Sequence, residues 1–229
     1  MKEEVTIQNN SGPIQLIGGK SEAALFLDGV PIQFTWLREI GSTWRYQIAR
    51  NVYESDVIQD RLFADFVKNG RLTQGTLAKQ FQYILNKLSK GRYQLEITYL
   101  EHKGLELIKA TEKSGYYHTD DYGGVVALIQ TQAFTNTTAV DKYSELIRNG
   151  FEPIMILLKS KDAEDAFILD GHHKFIAYAR ERKPAKALVI TKLDNEGIDE
   201  AKALELFRIS GMEHTDYQRS FMNELKKPD

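Results

Sequence analysis

The chain has 229 residues, 42 % of them hydrophobic and 27 % charged, with a formal net charge of −2 and no cysteine. That apolar content suffices for one large domain or two small ones, and the missing thiol excludes disulfides, thiolate metal sites and cysteine nucleophiles. The near-neutral charge offers no global field toward nucleic acid or an anionic membrane. No run approaches a bilayer span, and the polar start Met1–Val5 lacks a signal-peptide core, so a cytoplasmic protein without a membrane partner is expected.

Residues 1–22 are polar, with one short strand expected at Ile14–Ile17. Gly18-Gly19-Lys20-Ser21 is not a phosphate loop, because Ile14 stands where that motif needs its first glycine. Leu25 and Leu27, then Val30, Ile32, Phe34 and Trp36, alternate around Asp28-Gly29 and predict a hairpin. A further strand is expected over Thr43–Ala49, with Trp36 and Trp44 packed within a sheet. Ser55 reads as the cap of a helix over Asp56–Lys68. Thr73 or Thr76 opens a second helix, whose apolar face is Leu77, Phe81, Ile84, Leu85 and Leu88. Tyr93–Leu100 and Leu105–Ala110 predict a hairpin around His102-Lys103-Gly104. Tyr116–Tyr122 reads as a surface turn, in which His118, Asp120 and Asp121 are metal-capable.

From there the pattern becomes strand, helix, strand, strand, helix, strand. The strands fall at Val125–Thr131, Pro153–Leu158, Ala166–Leu169 and Ala187–Ile190. The helices fall at Ala139–Asn149, capped from Asn136-Thr137-Thr138, and at residues 172–182, stopped by Pro184. Two closing helices are expected at Asp199–Ile209 and Asp216–Lys226. The fold class is therefore α+β. A soft boundary near residues 112–124 divides a hairpin-rich α+β region (1–115) from a C-terminal domain (120–229).

The chemistry concentrates where the strand ending at Asp170 meets Gly171-His172-His173-Lys174. A helix starting at His172 presents unpaired N–H groups and the positive end of its dipole. Gly171 would let a ligand approach the backbone, and His172, His173 and Lys174 add donors, so an oxyanion such as phosphate suits the place. Between His172 and Lys192 the basic residues Lys174, Arg180, Arg182, Lys183, Lys186 and Lys192 face one acid, Glu181. Asp170 would repel a phosphate unless it serves a purpose. Two stay open: a Mg²⁺ ligand or proton acceptor for a substrate hydroxyl, or simply the helix cap. The adjacent histidines do not have the i, i+4 spacing of a chelating pair.

These residues resemble the ParB/sulfiredoxin superfamily over about residues 125–193. Leu146-Ile147-Arg148-Asn149-Gly150 with Glu152-Pro153-Ile154, the Asp170–Lys174 junction and the strand near Ala187–Ile190 match in order. The junction pattern falls on Gly171, Lys174 and Ala177, with Lys174 where the family usually has arginine. The wording around His173–Tyr178 and Pro184–Val189 is similar to sulfiredoxin, whose catalytic cysteine would fall at His172; without cysteine, that reaction is excluded. Asp170-Gly171-His172-His173-Lys174 is also similar to the Asp-Gly-His-His-Arg of the free-serine kinases, although positions 132–140 hold no acid to match their upstream glutamate.

The resemblance implies a ParB/sulfiredoxin-like C-terminal domain that binds ATP or ADP, with Mg²⁺ through Asp170. Gly171, His172, His173 and Lys174 would hold phosphate, with Lys142, Ser144 and Arg148 as further contacts. Asp170 and His172 are the candidate catalytic residues of a phosphotransferase acting on a small hydroxyl substrate. Two alternatives accompany it: a non-catalytic ParB-like sensor or scaffold that meets a protein partner through residues 1–115, or a ParB-like DNA-binding or nuclease protein. The net charge and the lack of a helix-turn-helix speak against nucleic acid.

Overall fold

The computed structural model describes the chain except residues 20–21, 41–42, 51–71, 73, 103–104, 109–114, 120–125, 132–135, 164, 195, 210–212, 215 and 226–229. The expected helix at Asp56–Lys68, together with Asp120 and Asp121, lies outside the described residues.

Strands and helices mix as an α+β fold of two sheets. The first strands are β1 (Lys2–Ser11), β2 (Ile14–Gly18), β3 (Glu22–Leu27), β4 (Val30–Ile40) and β5 (Thr43–Arg50). Two one-turn helices, α1 (Leu77–Gln80) and α2 (Gln82–Leu85), precede β6 (Ser89–Leu100), β7 (Leu105–Ile108), β8 (Gly115–Thr119) and β9 (Val126–Gln130). Then come α3 (Thr137–Arg148), β10 (Met155–Ser160), β11 (Asp165–Asp170), α4 (His172–Arg180), β12 (Ala185–Lys192), α5 (Glu200–Ile209) and α6 (Asp216–Leu225). A seven-stranded sheet has the order β1-β6-β12-β10-β11-β9-β7, and a five-stranded sheet has the order β2-β3-β4-β5-β8.

Three apolar clusters stack these elements into four layers. Val140, Ile147, Phe175, Ala177 and Tyr178 of α3 and α4 cover one face of the large sheet at Leu128, Met155, Leu157, Ile168 and Ala187. The other face, through Leu95, Ile156, Leu158, Phe167, Leu169, Leu188 and Ile190, meets Ile14, Leu16, Leu25 and Ile32 of the small sheet. Beyond that sheet, Phe34 and Trp36 pack on Phe207 and Phe221 of α5 and α6, with Trp36 and Phe221 edge to face at 4.9 Å. Trp36 is therefore core, at 3 % exposure.

Local chemistry explains much of this order. Asp28 and Gly29 both have positive φ, 51° and 80°, as a two-residue hairpin turn of the primed type requires. The β3–β4 register shifts between Leu25 and Phe26. That bulge turns Ile32 toward the large sheet and Phe34 toward the helices, breaking the single alternation expected from the sequence.

Other expectations are corrected. The helix opened at Thr76 splits, because Phe81 adopts φ −109° and ψ 21° and is buried, and Leu88 bridges Ile14. β6 and β7 form no hairpin with each other: β6 pairs with β1 and β12, whereas β7 pairs with β9 in parallel. The segment read as a surface turn at Tyr116 contains β8, antiparallel to β5. β1, hidden in a polar stretch, pairs with β6 and sets Val5 and Ile7 against the core. The large sheet also runs across the division expected near residues 112–124, joining β1, β6 and β7 to β9–β12.

Candidate functional site

β11 delivers Asp170 to the start of α4 through Gly171. The β10–β11 register shifts between Ile156 and Leu157, opposite Asp170 and Ile168, so a bulge re-aims the strand end just before the helix. Gly171 has φ +112° and ψ 18° and is the N-cap of α4. A Cβ at this position would lie 2.8 Å from Met155 Cγ. The glycine thus answers to its left-handed backbone and to Met155 packed against it, rather than to space kept for a ligand.

The N-cap of α4 is Gly171, which has no side chain to offer, and not Asp170. Its carboxylate instead accepts from Lys174 one turn along, and Lys174 Nζ also donates to the Ile154 carbonyl at 2.9 Å. Lys174 is 1 % exposed and Asp170 21 %. The lysine expected among the phosphate donors therefore lies beneath the site as the counter-ion of Asp170. Tyr143 of α3 joins them: Lys174 Nζ sits 5.7 Å from its ring centroid. Burial, with the Asp170 charge in support, pushes the Tyr143 hydroxyl up to about 12.

The two histidines diverge, as neighbouring residues at a helix start must. His172, buried, accepts from the Thr131 backbone N–H through Nε2 at 3.1 Å, and Thr131 Oγ1 donates to the Ile168 carbonyl at 2.6 Å. His173 Nε2 accepts from the Asn136 N–H at 2.9 Å. Asn136 in turn caps α3 by accepting from the Ala139 N–H. Desolvation lowers the His173 pKa below its ordinary value, against an opposing pull from Asp170.

α3 and α4 run side by side in the same direction. Asn136 meets His173 at one end, and Arg148 pairs with Glu181 at the other. Arg148 is thus separated from the α4 start by the helix itself, about 13 Å at its rise per residue. Ser144 is buried, with its Oγ unpartnered among the described residues, while Lys142 is exposed on the same helix. Of these three, Arg148 is the one placed away from residues 171–174, at the far end of α4.

The basic neighbourhood is largely committed within the fold. Arg180 pairs with Asp141, Lys183 Nζ donates to the Ile147 carbonyl, Lys186 pairs with Glu152, and buried Lys192 bonds the Leu16 carbonyl and Glu196. Among the described residues no three His, Asp or Glu gather into a metal cluster, and no helix is long and apolar enough to cross a membrane.

Sequence reasoning did not single out Thr131, Asn136, Tyr143 or the Ile154 carbonyl as parts of this site. Asn136 carried a usable signal as a helix cap. Thr131 and Tyr143 became neighbours of Asp170–Lys174 only through parallel pairing of β9 with β11 and the packing of α3 on α4, and Ile154 through the pairing of β10 with β11. No family model, curated protein or solved structure matches this chain.

Proposed function

We propose that the chain is a nucleotide-binding protein of ParB/sulfiredoxin type that takes ATP or ADP at the start of α4. The observation that carries this reading is the pairing at the helix start: a partly exposed carboxylate, Asp170, whose charge is balanced from below by a buried lysine. An acid next to an anion site is otherwise repelled. Here Lys174 offsets that repulsion and leaves the helix dipole and first-turn N–H groups to attract phosphate.

The donor set fits the group in a specific way. Backbone N–H groups of the α4 first turn would hold phosphate oxygens, because His172 and His173 use Nε2 as acceptors and Lys174 is engaged with Asp170 and Ile154. Mg²⁺ is commonly held by one or two carboxylates together with phosphates, and Asp170 is the carboxylate at this site. As a phosphotransferase, the protein would use Asp170 to accept the proton of a small substrate hydroxyl while that oxygen bonds to the terminal phosphorus of the nucleotide, whose bond to the bridging oxygen breaks and releases the nucleotide one phosphate shorter. Lys174 balances the charge of that carboxylate and holds it in place.

Thermal unfolding with millimolar ATP, ADP or CTP, each with and without Mg²⁺, tests the reading. A ligand bound at a hundred times its Kd raises stability by about 2.7 kcal/mol, which a melting curve resolves. The expected result is a clear rise with ATP or ADP. An unmoved curve with all three nucleotides rejects it. Binding without turnover on any hydroxyl substrate would point to the non-catalytic sensor.

A further inference from the structure

We infer that His172 and His173 are positioning residues, which dock the start of α3 beside the start of α4 by gripping two backbone N–H groups. The functional part of this inference rests on reading the α4 start as the nucleotide site.

The two bonds reach opposite ends of one connection. His172 holds Thr131, which follows β9, and His173 holds Asn136, which caps α3. Each partner is itself tied down, Thr131 through its hydroxyl to the Ile168 carbonyl and Asn136 through its amide oxygen to the Ala139 N–H. The first two residues of α4 therefore fix where β9 ends and where α3 begins. A single histidine could not do both, because side chains at successive helix positions point about 100° apart. The adjacency of the pair, which a chelating site would not favour, is what this task requires.

The chemistry of the ring assigns the protons. A nitrogen that accepts an N–H carries no hydrogen of its own, so in the neutral ring the hydrogen is on Nδ1. Nε2 cannot then donate to a phosphate while it holds the backbone. The histidines contribute to anion binding by geometry: they keep the α3 start, and Tyr143 one to two turns along it, registered against Asp170 and Lys174.

The experiment uses the full chain, ¹⁵N-labelled, as wild type and as His172→Leu, His172→Gln, His173→Leu and His173→Gln. Leucine removes the acceptor, and the glutamine carbonyl replaces it. Hydrogen exchange of the Thr131 and Asn136 amides is read without ligand, and ATP and ADP affinity is read by titration. A lost hydrogen bond corresponds to a change of up to about tenfold. His173→Leu is therefore expected to speed exchange at Asn136 about tenfold, with Thr131 much less affected. His172→Leu should do the converse. Both leucine variants should weaken ATP binding about tenfold, and the glutamine variants should recover most of the protection and the affinity.

Wild-type protection at Asn136 in His173→Leu overturns the clamp. Protection lost with ATP affinity unchanged overturns the positioning role. A wild type that binds neither nucleotide rejects the nucleotide reading together with the positioning role, while amide exchange still decides the clamp. Because buried His172 is the more exposed to folding failure, the half-buried His173 pair carries the decision if His172→Leu does not fold.

Discussion

Lys174 lies under Asp170 with almost no contact with water, and its ammonium is divided between that carboxylate and the Ile154 carbonyl. Removing one partner of a buried pair leaves an uncompensated charge, which costs about 3–5 kcal/mol, whereas replacing both is far cheaper. Asp170→Asn should therefore destabilise the protein by about 3 kcal/mol. The double variant Asp170→Asn/Lys174→Met should recover most of that loss. Urea unfolding of the two singles and the double gives the coupling directly, and additive losses would show that the pair is not coupled.

Gly171 faces two independent obstacles to a side chain. Its φ of +112° strains any L-residue, and Met155 Cγ stands 2.8 Å from the position of a Cβ. Strained backbone of this kind costs about 1–3 kcal/mol, and overpacking a core adds about as much. Gly171→Ala should lose about 2–4 kcal/mol in a denaturation series. Met155→Ala in the same chain should not restore the native value, since it relieves only the overlap.

Acid should loosen the α3–α4 junction through His173. Desolvation holds its folded pKa below the ordinary 6.5, with Asp170 opposing. The unfolded chain then binds the proton first, so stability rises with pH between the two values. The contribution is complete above the unfolded value and is lost as pH falls through the folded one. Melting temperatures between pH 7.5 and 5 should fall, and His173→Gln should flatten part of that slope. Identical slopes in the two proteins would remove His173 as the cause.

Between the sheets, Thr35 of β4 donates to Asp165 Oδ2 of β11 at 2.8 Å, and Asp165 is only 8 % exposed. A buried hydrogen bond contributes about 0.5–1.5 kcal/mol, so Thr35→Val should cost about that much in unfolding free energy. On the same strand, fully buried Gln33 has neither amide atom partnered among the described residues. Gln33→Met should consequently stabilise the protein by about 1 kcal/mol or more. A loss on that substitution would show that the amide is satisfied in solution.

The sequence made its local elements readable and hid their partners. Asp28-Gly29 announced its hairpin because a two-residue turn with positive φ has few acceptable residues. Asn136 likewise announced α3, and the polar break at Gly171 announced α4. β6 and β7 looked like a hairpin because a short gap between alternating runs is normally one. They separate because β12, some ninety residues later, occupies one side of β6 while β1 occupies the other. The candidate site shows the same division. Asp170, His172, His173 and Lys174 were legible as one string of polar residues, but their partners were not. Lys174 as a counter-ion and the histidines as acceptors from Thr131 and Asn136 depend on contacts between elements distant in the chain.

The place of β12 in the large sheet has a consequence for how the protein is made. It lies between β6 and β10, parallel to one and antiparallel to the other. Until residue 192 has left the ribosome, both of those strands offer a bare hydrogen-bonding edge. Such late, long-range insertion slows folding and exposes the nascent chain to association with its copies. A fragment ending at residue 184 should therefore accumulate as aggregate, and cutting the gene near the middle should yield two pieces that each lack a wall of the same sheet.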